Sequence, residues 1–159
     1  MKVGIVYFSL LGTSKKYARW LEEALDGDLL EFRDASDERL RQYDAVVVLS
    51  GTFGGWMPLT GFLKKHWPAL RTRKVVAVTA GSVPPELPAS QKAYEAIPEE
   101  IRQGISFFKL PCDSGLRLWL TGPFSAYQLW KHADKRGWRP SRDKLTPVIA
   151  ALSSQNEHT

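Results

Sequence analysis

The sequence predicts an α/β fold in three layers, with a parallel sheet of five strands covered by helices on both faces. Strand-like apolar runs alternate with segments whose apolar residues recur at helical spacing along the whole chain. These runs are apolar almost throughout, which is typical of strands buried on both faces. The 159 residues contain no repeat, low-complexity tract or linker, so we expect one domain spanning 1–159.

The strands are predicted from short runs rich in valine, isoleucine, leucine, tyrosine and phenylalanine. In chain order they occupy 2–8, 29–32, 45–49, 74–79 and 105–110. The first, third and fourth strands each lead into a loop of unusual composition. In an open parallel sheet, ligands bind beyond the carboxyl ends of the strands, which is where these three loops begin.

The helices are predicted from apolar residues three and four positions apart. They occupy 13–26, 59–67, 89–96 and 99–103, with a single turn within 34–43 and helical spacing over 116–135. Gly27 is placed to end the first helix, and Pro68 to end the second. Gly122 and Pro123 interrupt the spacing over 116–135. Pro147 suits the first turn of a last short helix.

Composition and charge limit the class of protein. Hydrophobic residues make up 43% of the chain and charged residues 25%, as in ordinary globular proteins, and no apolar run is long enough for a membrane span. A single cysteine and the lack of a visible export signal favour the cytoplasm. The formal net charge of +5 favours an acidic partner or an anionic membrane surface, but it is modest, and we expect no nucleic acid.

The first loop, at 9–14, combines hydroxyls and a glycine at a strand-to-helix corner. Backbone N–H groups at a helix N-terminus attract a phosphate, and Ser9, Thr13 and Ser14 add side-chain donors around Gly12. The alternative is a helix cap and a tight turn alone, because serine and threonine are preferred N-cap residues. We favour a phosphate site because two further loops suit the rest of a nucleotide.

The second and third loops suit a flat ring. At 51–58, three glycines permit close backbone approach, and Phe53 and Trp56 offer planar surfaces. At 80–86, Gly81, Pro84 and Pro85 form a stiff segment near the same edge. The alternatives are aromatic packing in the second loop and a rigid turn in the third. Together the three loops predict a site for a mononucleotide with a large planar group.

The same segments resemble those of the flavodoxin family. The run "SLLGTS" at 9–14 is similar to the flavodoxin phosphate loop. "IVYFSLLGTSKKYARWLEEAL" is similar to small flavodoxin-domain proteins related to the flavodoxin-type protoporphyrinogen oxidases. "YDAVVVLSGTFGGWMP", "KVVAVTAGSVPPE" and "IPEEIRQGISFFKLPCDSGLRL" resemble later segments of that group, so the resemblance extends over 1–130.

The resemblance implies a five-stranded sheet in the order 2-1-3-4-5 and noncovalently bound FMN. It also implies cofactor-binding residues from each of the three loops. These are Ser9, Leu10, Leu11, Gly12, Thr13 and Ser14 around the phosphate, Thr52, Phe53, Gly54, Gly55 and Trp56 on one side of the isoalloxazine ring, and Ala80, Gly81, Ser82, Val83, Pro84 and Pro85 on the other. Leu10 and Leu11 would contribute backbone N–H groups only. No catalytic side chain is needed for one-electron transfer, because the chemistry belongs to the flavin.

The first loop departs from the family at one position. Leu11 stands where flavodoxins usually have a threonine, and the lost hydroxyl bond to a phosphate costs about 1.5–3 kcal/mol unless Lys15 or Lys16 compensates. The acidic surface of electron-carrier flavodoxins is also missing. An alternative is therefore a flavin-free flavodoxin-fold module that binds an acidic protein partner or an anionic membrane surface.

The resulting functional expectation is an FMN-dependent oxidoreductase or electron carrier, with a protoporphyrinogen oxidase-like activity as a subtype. A redox partner protein or a small hydrophobic electron donor would dock at the exposed ring edge. The positive net charge favours the anionic, fully reduced flavin. We therefore expect the couple of the fully reduced flavin to be less negative than in acidic flavodoxins.

Other conspicuous side chains have simpler interpretations. Cys112, after the fifth strand, is expected to pack as a small apolar residue. His66, His132 and His158 are scattered through the chain and predict no metal site. Basic and aromatic residues alternate over 130–142, and the segment 137–159 is basic. A solvated helix face is the simpler interpretation, with an anionic membrane or an acidic partner as the alternative.

Overall fold

The predicted parallel sheet is present, with its strands in the order β2-β1-β3-β4-β5. The computed structural model describes residues 1–53, 55–112 and 139–154. The strands are β1 (Val3–Tyr7), β2 (Asp28–Glu31), β3 (Ala45–Gly51), β4 (Lys74–Gly81) and β5 (Ile105–Pro111). Every neighbouring pair is parallel, which confirms the predicted fold class and strand order.

The helices lie on both faces of the sheet. They are α1 (Thr13–Leu25), α2 (Asp37–Leu40), α3 (Pro58–Leu70), α4 (Pro88–Glu95), α5 (Glu99–Gln103) and α6 (Thr146–Ser153), with 3-10 turns at Phe32–Asp34 and Arg142–Leu145. The turn expected within 34–43 is α2, and Pro147 lies in the first turn of α6, as predicted. The spacing over 116–135 falls outside the described residues.

Two apolar cores hold these layers together, one on each face of the sheet. Successive residues of a strand point to opposite faces, so Val47 of β3 joins one core while Val46 and Val48 join the other. The core around Val47 also contains Tyr17 of α1 and Leu152 of α6. The opposite core contains residues of α2, α3, α4 and α5. No helix within the described residues has both the length and the apolar character to cross a membrane.

Helix α3 continues past the proline that was expected to end it. Pro68 lies inside α3, which ends at Leu70. A proline there removes one helical hydrogen bond, but Ala69 and Leu70 are 1% and 0% exposed in the core. The Arg71 N–H also donates to the Trp67 carbonyl at 2.8 Å. Burial of the two apolar side chains offsets the missing bond, so the prediction of an end at Pro68 is wrong.

The carboxyl ends of β3 and β4 reach further than predicted. Gly51 pairs with Ala80, and Gly81 pairs with Pro111, so both strands extend two residues beyond the predicted ends. As a result, Ala80 and Gly81 belong to a strand rather than to the third loop. The added strand residues Gly51 and Ala80 line a cleft together with residues of the first loop.

Candidate cofactor-binding site

The first loop turns the chain from β1 into α1 through a left-handed glycine. Gly12 is the N-cap residue of α1 and has a φ of 91°, a conformation that strains residues with a side chain. Its N–H donates to the Ser9 hydroxyl oxygen at 3.0 Å, which closes the loop. Because the N-cap is a glycine, no side chain caps the helix. The backbone N–H groups of the first turn therefore form a site suited to an anion.

Hydroxyl groups adjoin this helix end. Thr13 and Ser14 are 7% and 4% exposed, and both line a cleft beside the loop. The two candidate lysines differ in position. The Lys16 ammonium lies 5.4 Å from the centre of the Trp20 ring, further along α1, whereas Lys15 lines a cleft next to Gly12. Lys15 is thus the better placed of the two to compensate for Leu11.

In the second loop, Phe53 and Trp56 form an isolated antiparallel β-bridge. Phe53 and Trp56 exchange backbone hydrogen bonds of 2.8 and 3.0 Å, and their ring centres are 5.9 Å apart. The Phe53 ring packs onto Gly51, where a Cβ atom would lie 2.7 Å from the phenyl Cζ. Trp56 is 58% exposed. Phe53 therefore forms part of the wall, and Trp56 remains an open planar surface. Gly54 lies outside the described residues.

The third loop is held from beneath by α4 and β5. The Ser90 hydroxyl donates to the Pro84 carbonyl at 2.8 Å, and the Lys109 ammonium donates to Ser90 Oγ at 2.6 Å. The Gln91 amide donates to the Pro85 carbonyl at 3.1 Å. These contacts hold the loop backbone in addition to the restriction from its prolines.

One cleft gathers residues from the first loop, the second loop and the carboxyl ends of β3, β4 and β5. Its lining consists of Ser9, Leu10, Leu11, Thr13, Ser14, Gly51, Thr52, Phe53, Ala80 and Cys112. From the predicted third loop only Ala80, now part of β4, lines this cleft, whereas Pro85 lines a separate groove with Ser90 and Lys109. Ser82 is buried beside the cleft, with its hydroxyl 3.1 Å from the Cys112 sulfur. Leu10, which lines the cleft, is 59% exposed, and Trp56, which pairs with the cleft residue Phe53, is 58% exposed.

One residue that lines the cleft, and two polar residues next to it in the strands, were not predicted from the sequence. Cys112 was expected only to pack, but it also lines the cleft. Thr79 bonds the Thr52 hydroxyl, with 2.6 Å between the two oxygens, and Ser50 accepts the Leu59 N–H at 3.1 Å. Thr79 and Ser50 are polar residues near the ends of otherwise apolar strands, which is a usable signal. Cys112 carries no such signal because its position depends on strand pairing.

Of the remaining candidates within the described residues, His66 does not line this cleft. His66 is buried beside Phe62 and has its Nδ1 2.5 Å from an Asp37 carboxylate oxygen, joining α3 to α2. Within the described residues, no group of histidine, cysteine and acidic side chains is arranged to hold a metal. His132, His158 and most of the basic, aromatic stretch over 130–142 fall outside the described residues.

Comparisons with known proteins agree with this fold. The model of the flavodoxin domain family matches residues 4–110, while no functionally curated protein is significantly similar in sequence. A flavodoxin from the domain Archaea superposes with a TM-score of 0.54 at 16% identity, covering 82% of this chain and 92% of its own. Flavodoxin 2 of Bacillus cereus superposes with a TM-score of 0.53 at 19% identity, covering 84% of this chain and 95% of its own. The chain therefore belongs to the flavodoxin domain family.

Proposed function

We propose that the chain binds FMN and acts in cytoplasmic electron transfer or as a small FMN-dependent oxidoreductase. One observation carries the proposal. The start of α1 has no side-chain cap, and its residues Thr13 and Ser14 line the same cleft as residues of the second loop. Membership of the flavodoxin domain family supports it. The single cysteine is consistent with a reducing compartment.

The phosphate end of FMN fits the first loop. A phosphate at the start of α1 would accept N–H bonds from the first helical turn and O–H bonds from Thr13 and Ser14. No acidic residue lies in the first turn to repel it. Leu11 offers only its backbone, and Lys15 supplies positive charge close by. The residues present thus suit a dianion even without the usual threonine.

The ring end of FMN suits the second loop. Trp56 offers an exposed indole for stacking, and Phe53 closes the inner wall. When bound, FMN supplies both one-electron and two-electron transfer. The protein orients the ring, limits water access and sets the charge around it. We further propose that a redox partner protein or a small hydrophobic donor docks where Leu10 and Trp56 are exposed.

Two substitutions test the two ends of the ligand separately. Riboflavin lacks the phosphate, so Thr13→Ala should leave the affinity for riboflavin unchanged. For FMN, the same substitution removes a hydrogen bond to the charged phosphate. That bond contributes about 1.5–3 kcal/mol, so we expect the Kd for FMN to rise roughly 10- to 100-fold. Trp56→Ala should weaken FMN and riboflavin alike. Quenching of flavin fluorescence during titration of the purified protein measures all four affinities.

Thr72→Ala is the matched control, because Thr72 is exposed in the turn that precedes β4 at the opposite edge of the sheet. It should change neither affinity. A purified protein that is colourless and takes up no added FMN would contradict the proposal. That outcome would favour a flavin-free module that binds an acidic protein partner or an anionic membrane.

A protoporphyrinogen oxidase-like activity is a narrower form of the same proposal and rests on sequence resemblance. It requires FMN-loaded protein to oxidise protoporphyrinogen in the presence of an electron acceptor. The appearance of porphyrin fluorescence, absent with Trp56→Ala, would support it. Flavin binding without porphyrin formation would leave electron transfer as the function.

A further inference from the structure

A second cleft opens on the other side of the first loop. Because the sheet order is β2-β1-β3, the loop after β1 has β3 on one side and β2 on the other. The first cleft lies toward β3, and the second lies toward β2. Ser9 and Leu10 line both. A ligand phosphate held by the loop would therefore be within reach of both clefts.

Aromatic rings form one wall of the second cleft. Phe8 and Phe32 line it, with ring centres 5.9 Å apart and planes inclined by 36°. Phe32 in turn stacks on Phe62 of α3, with centres 4.3 Å apart. This stacking fixes Phe32 against the core while leaving it half-buried. The wall is an apolar surface of two aromatic faces, and a purine base packs on one such face.

A carboxylate lies at the carboxyl end of β2, at the rim of the same cleft. Glu31 accepts a hydrogen bond from the Tyr7 hydroxyl at 3.4 Å. It also forms an ion pair with Arg33, whose Nε lies 2.9 Å from a Glu31 carboxylate oxygen. Burial, and then the charge of Glu31, raise the pKa of Tyr7, which keeps this hydroxyl protonated. Glu31 is the last residue of β2, and a carboxylate can accept hydrogen bonds from ribose hydroxyls, as an acidic residue does in dinucleotide-binding sheets of a different strand order.

Two cations complete the lining. Lys15 and Arg33 line the cleft, and the Arg33 side chain is 77% exposed. Arg33 uses Nε for its ion pair with Glu31 and for a longer one with Asp34. The terminal nitrogens of a guanidinium carry further N–H donors in a fork that matches a phosphate. The cleft thus combines groups for phosphate, ribose and base.

We propose that the second cleft binds an adenosine phosphate, either as the second half of FAD or as a separate adenine nucleotide beside FMN. The flavin half rests on the proposed function. In the FAD form, the phosphates lie at the first loop between Lys15 and Arg33, the ribose contacts Glu31, and the adenine packs on Phe8 and Phe32. The first arm of the test compares FAD with FMN, and the second adds ADP to FMN-loaded protein.

The first arm measures the Kd of FMN and FAD by fluorescence titration at fixed ionic strength. We expect FAD to bind at least about tenfold more tightly than FMN, the equivalent of one well-made polar contact. Arg33→Gln and Glu31→Gln should reduce this preference and leave FMN affinity unchanged. Arg41→Gln is the control, since it removes the same charge from an exposed arginine of the α2 region and should keep the preference.

The second arm uses isothermal titration of ADP into FMN-loaded protein. ADP binding that is weakened by Arg33→Gln, with equal affinities for FMN and FAD, would assign the cleft to a separate nucleotide. FAD binding no tighter than FMN, together with no ADP binding, would overturn the inference while leaving FMN binding intact. If the protein binds no flavin, ADP is titrated into the free protein instead. The absence of ADP binding there overturns the inference. Thermal melts confirm that each variant is folded.

Discussion

Among single residues, Gly12 has the strictest requirement. Its φ of 91° lies in the left-handed region, and a Cβ atom there would meet nothing within 4 Å. The requirement therefore comes from the backbone and not from crowding. The same conformation places the Gly12 N–H on Ser9 and begins α1 without a side-chain cap. The geometry of the proposed phosphate site depends on this one residue.

Replacing Gly12 should therefore affect both stability and binding. Gly12→Ala forces a side chain into the left-handed region, which costs about 1–2 kcal/mol. We expect the free energy of unfolding, measured by urea denaturation, to fall by that amount and FMN binding to weaken. Gly61→Ala is the control. Gly61 is exposed inside α3 with open space around it, so alanine should stabilise the protein by about 0.5–1 kcal/mol. Equal stability of Gly12→Ala and the parent would refute the argument.

Among the elements, α1 connects the core to the site. Its buried face carries Tyr17, Ala18 and Leu21 against the sheet, while its first turn forms the end of the cleft. The Tyr17 hydroxyl donates to the Pro111 carbonyl at 2.6 Å, joining the helix to the carboxyl end of β5. Proline 111 precedes Cys112, which lines the same cleft. This contact fixes the distance between two sides of the site.

Tyr17→Phe tests the contact without changing the packing of the ring. The substitution leaves the Pro111 carbonyl buried without its donor, so we expect the free energy of unfolding to fall by about 1–3 kcal/mol. Urea denaturation measures the change, and the slope should stay constant because the same surface is exposed. Tyr94→Phe is the control, because the Tyr94 hydroxyl makes no hydrogen bond with a described residue. A similar loss in both variants would contradict the assignment.

At the scale of the whole fold, the free energy of unfolding should decrease at alkaline pH because of Tyr43. This side chain is buried, and its hydroxyl donates to Asp28 at 2.9 Å. Burial, and then the hydrogen bond to Asp28, raise the pKa of Tyr43 above its ordinary value of 10.0. The unfolded chain then loses its proton at lower pH than the folded one. The stabilisation is therefore complete below pH 10.0 and is lost as the pH rises through the raised pKa.

Tyr43→Phe should remove this loss. We expect the difference in unfolding free energy between parent and variant to be constant at neutral pH and to shift in favour of the variant above pH 10.0. Urea denaturation across the pH range measures it. Burial also lowers the pKa of Lys74, with the opposite effect on stability, but that residue is present in both proteins and cancels. A pH-independent difference would contradict the prediction.

At the scale of the molecule, net charge should act on the flavin of the proposed function. With a formal charge of +5, the anionic, fully reduced flavin is favoured by Coulomb attraction. We expect a less negative potential for that couple than acidic flavodoxins have, and we expect added salt to make it more negative by screening. A redox titration at low and high ionic strength measures both. A potential as low as in acidic flavodoxins, unchanged by salt, would refute this.

The sequence alone determined the layers, the five strands and the position of the first loop. These follow from local properties, namely apolar periodicity and the glycine and hydroxyl residues where β1 passes into α1. The end of α3 was misjudged because the local effect of Pro68 was outweighed by burial of the residues after it. Local signals do not include the free energy of packing against distant strands.

Only the tertiary structure decided which side chains meet at the carboxyl edge. Pairing of Gly81 with Pro111 brings Cys112 to the first cleft, and the position of β2 beside β1 brings Glu31 and Phe32 to the second. These residues are far apart in the chain, and nothing in their immediate neighbours indicates the contact. Strand order and register set such distances, and both depend on how the two cores pack around the complete sheet.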